Sequence, residues 1–193
     1  MKLRTIILLA AMLMTADHLQ AQAKYSLSAY TVTIDGTSNL HSWNESVQTV
    51  NGKGMINWNA AKDFTLQSFN IVMEVNSIKS DEGSTMNNKT YKALKSDKFP
   101  QIIFLLTTPV SIPLGANGYS IIAKGNLTIA GVTKAVSMPI KISADGQKKI
   151  TIAGAQQVKM SDYGIDAPTA LFGVLKTGDM ITIGFNTTFT SSN

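Results

Sequence analysis

From Lys24 onward, apolar residues recur at every second position rather than every third or fourth. Phe69, Ile71, Met73 and Val75 alternate with Asn70, Val72, Glu74 and Asn76, and Ile121, Ala123, Leu127 and Ile129 form a second series. Val136, Met138, Ile140 and Ile142 oppose Ser137, Lys141 and Ser143, while Ile181, Ile183, Phe185 and Phe189 oppose Thr182, Asn186 and Thr188. A period of two gives each segment one buried face and one wet face, the arrangement of antiparallel sheet. Asn51-Gly52, Asn117-Gly118, Ala130-Gly131 and Asp145-Gly146 fall between such runs. Glycine supplies the positive φ of tight turns, so these dipeptides predict sequential hairpins. Strands are expected near residues 25–35, 44–50, 53–59, 64–78, 101–111, 119–130, 132–144, 147–160 and 179–190. That number of strands, with no sequence repeat and no linker, predicts an all-β single domain, a barrel or a sandwich.

Two features interrupt the pattern. Residues 84–96 place Met86, Thr90, Ala93 and Leu94 at helical spacing, with Lys89, Lys92 and Lys95 largely opposite. Asp81 and Glu82 precede this segment and lysines end it, as the helix dipole prefers. It is expected as an inserted amphipathic helix that caps one barrel end or packs on the wall, and its lysines leave open peripheral contact with an anionic membrane surface. Pro139 lies within a strand where it has no ladder hydrogen to donate, so it marks a bulge or an edge.

The first residues follow another rule. Met1 to Arg4 is basic, Thr5 to Ala16 is nearly continuous apolar sequence, and Ala21-Gln22-Ala23 has the form of a cleavage site. The apolar run falls short of the ~20 residues that span a bilayer, so residues 1–23 read as a secretory signal peptide and 24–193 as the mature domain. A periplasmic or otherwise secreted location follows. Removing Lys2, Arg4, Asp17 and His18 takes the formal charge from +5 to +4 and leaves no arginine, no cysteine and one histidine, His41. Dispersed lysines without arginine are a poor footprint for nucleic acid. One histidine without cysteine argues against a metal site, a cysteine nucleophile or a ligated cofactor.

Four segments together carry a family resemblance. They are Ile34-Asp35-Gly36-Thr37-Ser38-Asn39-Leu40-His41-Ser42-Trp43, Ala93-Leu94-Lys95-Ser96-Asp97-Lys98-Phe99-Pro100-Gln101-Ile102-Ile103-Phe104, Gly125-Asn126-Leu127-Thr128-Ile129-Ala130-Gly131-Val132-Thr133-Lys134, and Met160-Ser161-Asp162-Tyr163-Gly164-Ile165. In this order, across residues 25–190, they resemble the YceI-like family, in a branch with a Gly-Thr-Ser-x-Leu-His-x-Trp motif. The resemblance implies an eight-stranded antiparallel lipocalin-like β-barrel, exported to the periplasm, whose apolar cavity holds a polyisoprenoid chain such as an isoprenoid quinone or polyprenyl lipid. Monomer and dimer both remain open.

If the barrel holds such a chain, its inward apolar positions are the lining. Those expected are Phe69, Ile71, Met73, Ile103, Leu105, Leu127, Ile129, Met138, Ile140, Phe172 and Phe185, although the unbroken run Ile102 to Leu106 leaves the parity of its strand open. His41, Trp43 and Tyr163 are expected at the mouth of the cavity, by resemblance and by their amphipathic character. Met55, Met73, Met86, Met138, Met160 and Met180 suit either core filling or an adaptable lining. Asp35, His41 and Ser42 raise a hydrolase triad as the alternative, but neighbours on an extended chain point to opposite faces and no nucleophile elbow accompanies them. No catalytic residue, metal ligand or cofactor is therefore assigned. An envelope interaction protein without bound lipid, docking through Lys89, Lys92 and Lys95, is the other alternative.

Overall fold

A computed structural model describes residues 22–59, 63–113, 117–146, 149–170 and 174–192. Its strands are β1 (Gln22–Ser38), β2 (Ser42–Val47), β3 (Val50–Asn59), β4 (Asp63–Glu74), β5 (Ile78–Ser80), β6 (Gln101–Leu106), β7 (Val110–Pro113), β8 (Asn117–Ile129), β9 (Val132–Asp145), β10 (Lys149–Lys159), β11 (Thr169–Ala170) and β12 (Leu175–Ser191). A helix, α1 (Ser84–Ala93), stands between β5 and β6. The neighbour order β12-β10-β9-β8-β6-β4-β3-β1, closed by pairing of β1 with β12, makes an eight-stranded antiparallel barrel of lipocalin-like form. β1 pairs with β12 along most of its length and, on its other edge, with β3 at its start and β2 near its end. It begins at Gln22, so the strand takes in the last two residues of the expected signal peptide.

The alternating positions meet inside as two apolar clusters. One, with Val32, Ile78, Leu94, Ile102, Val158 and Ile165, lies at the end covered by α1. The other fills the opposite end. There Trp58 stacks on Phe64 at 4.8 Å and donates its indole N–H to the Tyr25 hydroxyl at 3.1 Å, forming an aromatic plug.

One turn expectation is corrected. Asn51-Gly52 lies within β3, opposite Val72 and Ile71, rather than between two strands. A Cβ on Gly52 would sit 3.0 Å from Phe189 and 3.1 Å from Ile71, so this glycine serves close packing. Ala130-Gly131 is a two-residue hairpin turn as expected, with φ of 48° and 81°.

Among the described residues, two of the places where the wall parts stand at a proline. The β9–β10 ladder runs from Asp145 opposite Lys149 to Ile140 opposite Gly154. The next rung would set Pro139 against Ala155, and proline has no N–H to donate. β10 stays paired to β12 as far as Lys159 and β9 to β8 as far as Val132, so the two strand pairs separate from each other here, and Pro139 marks an edge. Similarly, Thr107 donates its N–H to the Lys124 carbonyl at 3.0 Å as the last rung between β6 and β8. Two residues on stands Pro109, and β7 pairs with β4; among the described residues it has no pairing with β8.

Candidate ligand cavity

The barrel interior is not completely filled. A cavity of about 100 Å³ lies at mid-barrel. Phe69, Ile71, Met73, Leu127, Met138, Ile140 and Phe185 line it. Ile129 lines a second cavity, of about 70 Å³, beneath α1, and Ile183 borders both. Of the methionines, Met73 and Met138 face the first cavity and Met86 and Met160 the second.

The orientation expected for β6 is corrected. Ile102, Phe104 and Leu106 face inward, whereas Ile103 and Leu105 line neither cavity and Leu105 is 45% exposed. Pairing decides the parity. Met73 and Ile71 already face inward on β4, and they lie opposite Ile102 and Phe104. Residues directly opposite in an antiparallel ladder share a face, so the even positions of β6 go inside. Phe172 lies outside the described residues.

Glycines create room for rings along the lining. Gly154 lies opposite Phe185 and Gly54 opposite Phe69, and a Cβ at either glycine would come within 2.7 Å of the ring. Each ring therefore rests against bare backbone instead of standing out into the lumen. Phe104 lies on Gly125 in the same manner.

The expected mouth residues are dispersed. Trp43 is half-buried and lines the second cavity, His41 is exposed, and Tyr163 is buried in the cluster at the α1 end, 3% exposed. The motif around His41 builds a corner. Gly36 leaves space for the Trp43 indole, which donates to the Thr37 carbonyl at 3.1 Å, and the Ser38 hydroxyl accepts the N–H groups of Leu40 and His41. The Asn39 side chain clamps the start of β12 through the Val174 carbonyl and the Lys176 N–H. The triad is not assembled: Asp35 accepts from Asn44 at 2.7 Å, and His41 lies against the Ser42 carbonyl and, at 3.7 Å, the Glu82 carboxylate.

Lys89 is also displaced from its expected position. It lines the second cavity with Met86, Thr90 and Ala93, while Lys92 is exposed and Lys95 donates to the Gly164 carbonyl at 3.0 Å. Facing α1 from β2 is Glu45, 3% exposed and bonded by the Thr90 hydroxyl at 2.5 Å. Burial raises its pKa above the usual carboxylate value; the Thr90 hydrogen bond opposes this and the nearby Glu82 charge adds to it. In contrast, the Ser161 hydroxyl and N–H hold Asp179 below its usual value as they fasten the 160–165 turn to β12.

Glu45 and Gln156 are cavity residues that the sequence reading passed over. Gln156 carried a legible signal. The inward positions of β10 read Ile150, Ile152, Gly154, Gln156 and Val158, so a lone amide interrupts an apolar series.

An eight-stranded barrel that keeps an apolar lumen beneath a helix defines the protein as a lipocalin-like barrel. Its sequence then gives the family. The chain belongs to the YceI-like domain family, which matches residues 15–189. Its fold is similar to a polyisoprenoid binding domain from Saccharophagus degradans, with a TM-score of 0.63 at 13% identity, covering 87% of this chain and 98% of that one. It is also similar to Burkholderia cenocepacia BcnA, with a TM-score of 0.59 at 19% identity over 82% and 95% of the two chains. For the Campylobacter jejuni YCEI protein the TM-score is 0.57, at 19% identity over 77% and 84%. Among curated proteins none matches the chain.

Proposed function

We propose that this protein is an exported, non-enzymatic carrier that holds an isoprenoid lipid in its barrel lumen. The observation that carries the reading is the pair of apolar cavities meeting at Ile183 inside a closed barrel. Family membership and the likeness to a polyisoprenoid binding domain support the same ligand class. Each buried methylene contributes ~0.8 kcal/mol, so a few isoprene units give useful affinity without a charged anchor. The cavities are smaller than the ~300 Å³ lower end of ordinary ligand pockets. A long chain is therefore accommodated by rotation of Met73 and Met138, the adaptable parts of this lining. Residues 1–23 serve as the export signal and place the carrier in the periplasm or outside the cell. The dispersed positions of Asp35, His41 and Ser42 support a role without turnover.

The test is organic extraction of protein purified from its native host, followed by mass spectrometry. An isoprenoid lipid at close to one per barrel is expected. Protein that carries no lipid and also fails to bind added isoprenoids overturns the proposal.

A further inference from the structure

The aromatic plug of Tyr25, Trp58 and Phe64 closes one barrel end, and α1 covers the other. Between these ends the wall parts where β9 leaves β10 at Pro139. The parting forms a cleft of about 520 Å³, bordered by Val136, Ser137, Gln157, Lys159 and Tyr163. Gln156 borders both this cleft and the mid-barrel cavity, so it stands at the junction between them.

The chemistry of Gln156 is unequal at its two ends. Its amide nitrogen donates to the Gln157 carbonyl at 2.8 Å, which fixes the amide orientation. The oxygen, Oε1, is buried and accepts no hydrogen bond from the described residues. A buried acceptor left in this state incurs a desolvation penalty that a donor would remove. Thr187, the other polar side chain among the described residues of the cavity, has already given its hydroxyl hydrogen to the Ile152 carbonyl at 2.9 Å.

We infer that Gln156 is the head-group site for a hydroxyl-bearing isoprenoid, whose O–H donates to Oε1 at the β9–β10 parting while its hydrocarbon tail lies in the mid-barrel cavity. This rests on the carrier reading above and specifies the ligand's polar end. A hydrogen-bond donor is required, because an ether or ketone head would place a second acceptor against Oε1. The Gln156 oxygen thus selects an alcohol over an otherwise matching ligand without a donor.

The experiment compares farnesol with farnesyl methyl ether, which share a tail and differ in the O–H, on the wild-type protein and on Gln156→Met. Wild type is expected to bind the alcohol about fivefold to tenfold more tightly, the scale of one hydrogen bond. Gln156→Met, similar in volume and unbranched, is expected to bind both ligands alike. In wild type, the Gln156 side-chain amide NMR signals are expected to shift with farnesol and to stay in place with the ether. This measurement decides the matter even where the variant folds poorly. Binding of both ligands without preference, a preference that survives in Gln156→Met, or amide signals that ignore farnesol overturns the head-group site and leaves the carrier reading intact. Failure of wild type to bind either ligand overturns both.

Discussion

Truncating two adjacent leucines of β6 separates the observed parity from its alternative. Leu106 is 8% exposed and lines the mid-barrel cavity beside Leu66 and Ala123, whereas Leu105 is 45% exposed and lies opposite Asn70 and Asn126 in the neighbouring strands. Leu106→Ala removes three carbons from the core, a transfer loss of ~2.4 kcal/mol at ~0.8 kcal/mol per carbon. The vacated space adds to a cavity the neighbours already fail to fill, so a total of ~3 kcal/mol is expected, within the ~2–5 kcal/mol of such truncations. Leu105→Ala removes the same atoms from a site about half open to water, and ~1 kcal/mol is expected. Urea unfolding followed by the fluorescence of Trp43 and Trp58 measures both, with unchanged m-values identifying losses of native stability. At ~2–4 °C per kcal/mol for a chain of this size, Leu106→Ala is expected to melt several degrees below Leu105→Ala. Equal losses, or a larger loss for Leu105→Ala, would refute the inward assignment of even-numbered β6 residues and the cavity lining built on it.

Other expectations follow from single contacts. The native pKa of Glu45 lies above its ordinary 4.5, so between these values the native protein holds a proton that the unfolded chain has released. Stability is therefore expected to fall as pH rises across that window, and Glu45→Gln to flatten the fall; an unchanged pH profile in the variant rules out Glu45 as its source. Pro139→Ala restores an N–H opposite Ala155, and hydrogen exchange is expected to slow at that new amide and along residues 155–157; exchange as fast as at an open edge would show that proline does not cause the parting. His41→Ala removes an exposed side chain whose Nε2 lies 3.7 Å from the Glu82 carboxylate. Stability within ~0.5 kcal/mol of wild type and unchanged lipid retention are expected, and loss of retention would restore His41 to the binding site.

The fold was legible because antiparallel strands write their two faces into alternate residues, and the segments at 64–75, 119–129 and 181–189 did so plainly. Parity failed at Ile102 to Leu106 because an unbroken apolar run has no alternation. The missing information resided in β4 and β8, the partners on either side. Asn51-Gly52 misled for a related reason: glycine serves turns and close packing equally well, and the ring of Phe189 that required it is distant in sequence. The motif around His41 was legible as a motif, but its residues build a corner that joins β1 to β12. Gln156 was within reach of the same alternation, once its strand was read for polar residues in apolar positions.

The rings of Phe69, Phe104 and Phe185 rest on glycines of neighbouring strands, so the bore of this barrel is written in its backbone as much as in its lining. A single methyl at residue 54 would lift Phe69 and tilt it toward the centre, narrowing the lumen through a position that contributes no side chain. Ligand girth can therefore change through substitutions that an inventory of lining side chains would overlook. In comparing such barrels, the register between glycine and ring is a measure of calibre.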